Sequence, residues 1–416
     1  MKLLIKSAKI LDQQSAFHKQ TKDILIEDGI IKRISSEIKE KADREIREGN
    51  LHVSRGWFDS SVSFGEPGYE ERETIANGLD TAAKSGFTSV VLNASTNPVI
   101  DTNSAVISIK SKALDHAVNL LPTGALTVKS EGIDLAELYD MAQGGAVSFG
   151  DYKQPVDNPN LLKLALQYTQ NFGGLVQSFP QENKIAGKGQ VNEHHSSTSL
   201  GLKGIPNLAE ELQVARDLFL LEYTGGKLHI PTISTAKTVE LIRKAKEQGL
   251  DVSCSVAIHN LIFTDDVLKE FDANTKVQPP LRTKEDLEAL IEGLKDGSID
   301  MVTSDHNPID IEHKKVEFEN AMYGTIGLET AFGALGTIFS AEDCAEILSR
   351  GKNRFGLKAS TIEEGEPADL SLFSPEVDYK FTKDHIHSTS ENSIFLGSKL
   401  KGRAIGIITK KGFAGL

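Results

Sequence analysis

Cysteine is nearly missing from this sequence, positive charge is in deficit, and no long apolar run occurs. Each shortage closes off a class of protein. Two cysteines, Cys254 and Cys344, are too few for a disulfide framework. Lys and Arg total 46 against 59 Asp and Glu, and the resulting formal charge of −13 repels a phosphate backbone, so nucleic acid is not an expected partner. No stretch approaches the roughly 18 apolar residues that suggest a membrane span. The opening MKLLIKSAKIL is interrupted by Lys2 and Lys6, so it lacks the unbroken apolar core of a signal peptide and reads as a strand. A cytoplasmic location is the expectation. Internal repeats, low-complexity tracts and Pro-rich or Gly/Ser-rich linkers are missing too.

What is present is enough apolar material, 39% of 416 residues, to bury one large core with an accessory unit. The first fifty residues read as short strands: LLIKSAKIL, then DILIEDGIIKRIS with a turn at Asp28 and Gly29, then LHVSRGWFD. From about Asp59 short apolar runs alternate with helical periodicity. The runs are TSVVL at 88–92, GAVSF at 145–149, GLVQS at 174–178, KLHIPTI at 227–233, SCSVA at 253–257 and IDMVTS at 299–304. Between them stand helix signatures such as NLLKLALQYTQNF, NLAEELQVARDLFLLEYTGG and STAKTVELIRKAKEQGL. About eight such units predict an α/β fold with a parallel sheet closed into a (β/α)8 barrel, an open doubly wound sheet being the alternative. Strand signals return in ADLSLFSP and GRAIGIITKKGF, so the two chain ends are expected to pair as one small β domain, 1–52 with 353–416, beside a barrel over 53–352.

The segment GWFDSSVSFGEPGYEERETIANGLDTAAKSGFTSVVLNASTNPVID resembles the opening barrel segment of dihydroorotases. GAVSFGDYKQPV, GIPNLAEELQVARDL, IPTISTAKTVELIRKAK, TKVQPPLRTKEDLEALIEGLKDGSIDMVTSDHNP and YGTIGLETAFGAL continue the likeness in order, so it covers nearly the whole chain. It implies an amidohydrolase-type barrel with a composite β domain.

Dihydroorotases open or close a cyclic amide with one or two zinc ions at the C-terminal strand ends, where a metal-bound hydroxide attacks the carbonyl. The family's Asp-x-His-x-His run falls here on Asp59, Ser61 and Ser63, and its next two metal histidines fall on Ser178 and Thr232. Neutral hydroxyls are poor zinc ligands. The matching acids persist as Asp151 and Asp305, the latter a vestige of the proton shuttle. Substrate positions differ as well: an arginine becomes Gly65, asparagines become Ser95 and Gln278, and a histidine becomes Ile309, while His259 and His306 persist. The likeness therefore implies a pocket of Gly65, Ser95, His259, Gln278 and His306 beside a metal site without its histidines. No cofactor is expected, or at most one weakly held zinc.

Plainer roles compete for several of these residues. Asp151 and Asp305 also read as strand-end carboxylates satisfied by backbone N–H groups and water, and His306 as an anion ligand at the mouth or a solvent-facing side chain. The adjacent His194 and His195 read as solvated, His229 as a hydrogen-bonded core histidine, and Cys254 as a small buried apolar residue. Three functions follow. One is a pseudo-enzyme kept for assembly, which the resemblance links to aspartate carbamoyltransferase because inactive homologues of the family serve it as structural partners. The second is a hydrolase using one weak metal or a metal-free acid–base pair. The third is a small-molecule sensor lined by Ser61, Ser63, Ser95, Ser178, Thr232 and His306. A homo-oligomer is expected.

Overall fold

The computed structural model of the protein describes residues 1–415; Leu416, the last residue of the expected accessory domain, lies outside the described residues. At the N-terminus, alternating apolar side chains produce β1 (Lys2–Leu11), β2 (Thr21–Glu27), β3 (Ile30–Ser35), β4 (Arg44–Ile46) and β5 (His52–Arg55). The β2–β3 turn is the expected one: Asp28 and Gly29 both take positive φ, 50° and 73°, as a two-residue hairpin loop requires.

The barrel begins at β6 (Trp57–Val62) and continues through β7 (Phe87–Leu92), β8 (Asn119–Gly124), β9 (Ser148–Phe149) and β10 (Leu175–Gln177). A two-stranded ladder of β11 (Val191–Asn192) and β12 (Gly204–Ile205) lies outside it. β13 (Lys227–Ile230), β14 (Val252–Ala257) and β15 (Met301–Thr303) complete the eight parallel strands. The ring closes where Ser63 N–H donates to the His306 carbonyl at 2.7 Å. Six of six residues of β6, β7 and β14 are buried, as strands covered on both faces must be. The GAVSF run yields only two strand residues, because Gly145 is still closing the helix Leu138–Gly144 at φ 101°.

β16 (Leu370–Lys380), β17 (Lys399–Thr409) and β18 (Gly412–Gly415) join the N-terminal strands in one sheet of order β18-β17-β16-β5-β1-β2-β3, with β4 beside β1. The two chain ends meet where β16 pairs antiparallel with β5. Buried Trp57 ties this sheet to the barrel: it stacks on Phe332 at 4.8 Å and donates from Nε1 to Ser54 Oγ at 3.0 Å. Toward the N-terminal strand ends the barrel interior is plugged by hydrocarbon, with Phe58, Val91, Leu121, Leu175, Met301 and Phe355 in one cluster. Among the described residues no helix is long and apolar enough to cross a membrane.

Candidate active site

At the opposite end of the barrel the interior turns polar. Alternation along β6 sends Asp59, Ser61 and Ser63 to one side of the strand. Asp59 is fully buried; its carboxylate accepts from the N–H groups of Ser61 at 3.0 Å and Ser304 at 2.9 Å and from the Thr303 hydroxyl. Burial nonetheless pushes its pKa above the usual carboxylate range. Asn93 donates to Ser61 Oγ at 3.1 Å and Ser63 Oγ at 3.2 Å, and Ser95 Oγ donates to Ser63 Oγ at 3.3 Å. A chain of hydroxyl and amide groups therefore stands where the resemblance sets imidazoles.

The charge at the mouth comes from a residue that sequence reasoning did not single out. Lys153 extends its ammonium to within 2.9 Å of Asp305 Oδ2, and both side chains are nearly inaccessible to solvent. Asp305 Oδ1 accepts from Ser61 Oγ at 3.3 Å and from the Tyr152 hydroxyl at 3.4 Å. Burial opposes charge on Lys153, but the facing carboxylate outweighs it and drives the lysine pKa above its ordinary value. Tyr152 is pushed up to about 12 by burial and by the Asp305 charge. Neither group can then act as a base near neutrality; burial raises Asp305 above the usual carboxylate range against the pull of Lys153, and the 2.9 Å contact holds it as the lysine's counter-ion. The signal that would have found Lys153 was physical: a strand-end carboxylate buried without a metal needs some other cation.

Asp151 lines the same cavity as Lys153, with its carboxylate held by the segment that carries Leu126 and Thr127. Its Oδ1 accepts from the backbone N–H groups of Leu126 at 2.9 Å and Thr127 at 3.1 Å, and its Oδ2 from Thr127 Oγ1 at 2.5 Å. Ser178 is not with the other hydroxyls either: it donates to Asp217 at 2.6 Å, on the helix Asn207–Thr224 outside the strands. Thr232 does line the cavity, together with Ser61, Asn93, Lys153 and Gln177. Thr232 and Asp305 hold φ of 49° and 46°, a left-handed conformation that is strained for any residue with a Cβ and worst for a β-branched one.

The positions that the resemblance assigns to a substrate make their contacts within the protein. A Cβ on Gly65 would lie 1.8 Å from the Tyr69 carbonyl oxygen, so this loop has closed over the space an arginine would need. Gln278 donates to Gln181 Oε1 at 3.2 Å. His259 is fully buried with both ring nitrogens unpartnered, and burial followed by the nearby Lys153 charge lowers it to about 3. His306 is also fully buried; its Nε2 bonds Glu73 at 2.7 Å while its Nδ1 accepts from the Gly327 N–H at 3.2 Å, so the ring holds loops together and is not open to an anion. Ile309 is buried, with its N–H donating to Asn392.

Outside the mouth, His229 bonds Ser253 Oγ at 2.9 Å, packs edge-on against Phe355, and is lowered to about 3 by burial. His194 pairs with Asp265 at 3.0 Å while His195 is exposed. Cys254 is a buried strand residue.

These donors do not fit zinc. The hydroxyls keep their protons at neutral pH, both Asp151 oxygens are engaged, and a dication approaching Asp305 meets an ammonium. The cavity measures about 20 Å³, room for about one water molecule.

Comparison with known proteins adds a second line. A family model described as dihydro-orotase-like matches residues 51–238. A dihydroorotase of Pelotomaculum thermopropionicum is 39% identical over 409 residues, covering 97% of this chain and 96% of the relative. That of Ruminiclostridium cellulolyticum is 40% identical over 411 residues with the same coverage. Among solved structures, L-hydantoinase (dihydropyrimidinase) from Arthrobacter aurescens superimposes with a TM-score of 0.84 at 22% identity, over 100% of this chain and 96% of that one. D-hydantoinase from Thermus sp. gives 0.83 at 21%, over 99% and 95%. At that identity they speak for the (β/α)8 barrel fold alone.

Proposed function

This chain belongs to the dihydroorotase family, and we propose that within it the protein is a dihydroorotase homologue that has given up hydrolysis and persists as a structural partner, of aspartate carbamoyltransferase in the first instance. The observation that supports this reading is the Lys153–Asp305 ion pair at 2.9 Å, an internal cation set against the very carboxylate that the family uses for metal and proton transfer. Losing a ligand set weakens a metal site; placing a buried ammonium against the remaining acid opposes the metal outright. The tight loop at Gly65 and the small cavity support the same reading.

Metal analysis of the purified protein after exposure to zinc, paired with a dihydroorotate turnover assay, tests the loss of hydrolysis. Zinc far below one per chain and no turnover above buffer are expected; near-stoichiometric zinc with turnover overturns the reading. Mixing with aspartate carbamoyltransferase from the same cell tests the partnership, and an unchanged size and activity of the transferase counts against it.

A further inference from the structure

Two lysines are buried on the long loops that follow β14 and β15: Lys276 is 2% exposed and Lys314 6%. A buried ammonium ordinarily faces a carboxylate. Among the described residues neither lysine is paired with one. Lys276 Nζ donates to the carbonyls of Phe318 and Glu319, both at 2.8 Å, and lies over the rings of Phe318 and Tyr323. Lys314 Nζ donates to the Ala273 carbonyl at 2.8 Å and to the Lys276 carbonyl at 3.4 Å. Each lysine thus clasps the segment that carries the other, and no anion offsets the two like charges.

The pair is unequal. Lys276 has aromatic faces as well as carbonyls, whereas Lys314, at the end of the helix Ile311–Lys314, has carbonyls alone and lines a groove of about 1120 Å³. Burial, and next the charge of Lys276, hold the Lys314 amine down at about 7; Lys153 adds to this, and Asp272 pulls the other way. A neutral amine has two hydrogens and one lone pair. Here both hydrogens have carbonyl acceptors, and among the described residues no donor engages the lone pair. Such an amine is a nucleophile at neutral pH, as an ordinary lysine is not. The groove is walled by Phe271, Ile311 and Val316, exposed apolar side chains that a short acyl chain would cover. We propose that Lys314 is a covalent acylation site, which takes a short acyl group from an acyl phosphate or a thioester. Its nitrogen attacks the acyl carbon and an N–C bond forms. The C–O bond to phosphate or the C–S bond to the thiol breaks, the leaving group keeps the electron pair, and the amine proton passes to water. The amide product keeps one N–H for the Ala273 carbonyl, and the Lys276 carbonyl still accepts from the Gly324 N–H at 3.0 Å, so no buried acceptor is stranded. One of two neighbouring buried charges is also removed.

Incubating the full chain with acetyl phosphate, and separately with acetyl-coenzyme A, then mapping acetylated peptides by mass spectrometry between pH 6 and 9, tests the proposal, which stands whatever becomes of the hydrolytic reading. Exposed Lys315, next in sequence, is the internal control. At pH 7 Lys314 should react at least about tenfold faster than Lys315, because an ordinary lysine has only about one amine in 2,500 neutral at that pH. The Lys314 rate should level off above about pH 8 while that of Lys315 climbs about tenfold per unit. In concentrated urea the two rates should converge, and Lys314→Arg should abolish the fast site in the native chain. Whichever donor reacts faster identifies the source of the acyl group. A Lys314 no faster than Lys315 with both donors, an advantage that persists in urea, or a fast site that survives Lys314→Arg overturns the assignment.

Discussion

Two ends of one barrel have been filled in opposite ways. Toward the N-terminal strand ends the interior is hydrocarbon, with Phe58, Met301 and Phe355 in a cluster of buried side chains. At the C-terminal ends the same parallel strands converge on Asp59, Asp305, Lys153 and linked hydroxyls, with Lys153, Thr232 and Asp305 at positive φ. The first arrangement follows from close packing and needs no function to account for it. The second is an expensive way to fill space, since it desolvates charges and holds strained backbone. Its cost sets it apart from the plug, since close packing alone would not call for it.

That difference can be broken open by mutation. Lys153→Met leaves the Asp305 carboxylate buried and unpaired and should cost about 3–5 kcal/mol; Asp305→Asn on top of it should recover most of that loss. Phe355→Ala at the other end should cost a similar ~3–5 kcal/mol, and no second substitution should restore it, because a cavity has no partner to remove. Urea denaturation of these three variants and of Asp305→Asn alone measures both. If the Lys153 and Asp305 effects simply add, the ion pair is not what fills the mouth.

Both ends also hold a buried neutral histidine, His229 beside Phe355 and His259 beside the Lys153 charge, each lowered from 6.5 to about 3. Below its unfolded pKa the unfolded chain takes up a proton that the native ring refuses, so stability contributed above pH 6.5 is lost as pH falls toward 3. Each histidine should contribute a slope of about 1.4 kcal/mol per pH unit in that window. His229→Asn and His259→Asn should each remove about one proton's worth of slope from denaturation midpoints followed between pH 6 and 4. An unchanged slope in either variant means that its ring is already charged in the native state.

The fold was legible because its determinants are local or periodic. Alternation in MKLLIKSAKIL, the Asp28–Gly29 turn and the repeated strand-then-helix pattern each act over a few residues, and β1, the β2–β3 hairpin and the barrel follow. GAVSF was overread because two glycines serve the end of a helix before the strand begins. Within the site, the hydroxyl residues Ser61, Ser63 and Thr232 could be read directly from the sequence. The Lys153–Asp305 contact could not, since it spans 152 positions. Ser178 is instructive for the same reason: its hydroxyl turns to Asp217, a choice made by a packed helix and not by the strand that carries it.

The smallest expected effect bears on the strain. At Thr232 a β-branched side chain is held at φ 49°, and its backbone N–H is tied to Ser255 Oγ at 3.1 Å, so the conformation is enforced from outside the residue. Thr232→Gly keeps that hydrogen bond and relieves the clash of Cβ with its own backbone, worth about 1–2 kcal/mol, against an entropy gain of the unfolded chain of about 0.5–1 kcal/mol. A net stabilisation of roughly 0.5–1 kcal/mol should appear as a higher urea midpoint at unchanged slope. Val91→Gly in the apolar plug has no strain to release and loses packing, so it should destabilise by well over 2 kcal/mol. Opposite signs for glycine at the two ends would separate a mouth shaped by chemistry from a floor shaped by packing, whereas a loss at Thr232 would mean that its side chain still supports the cavity wall it lines.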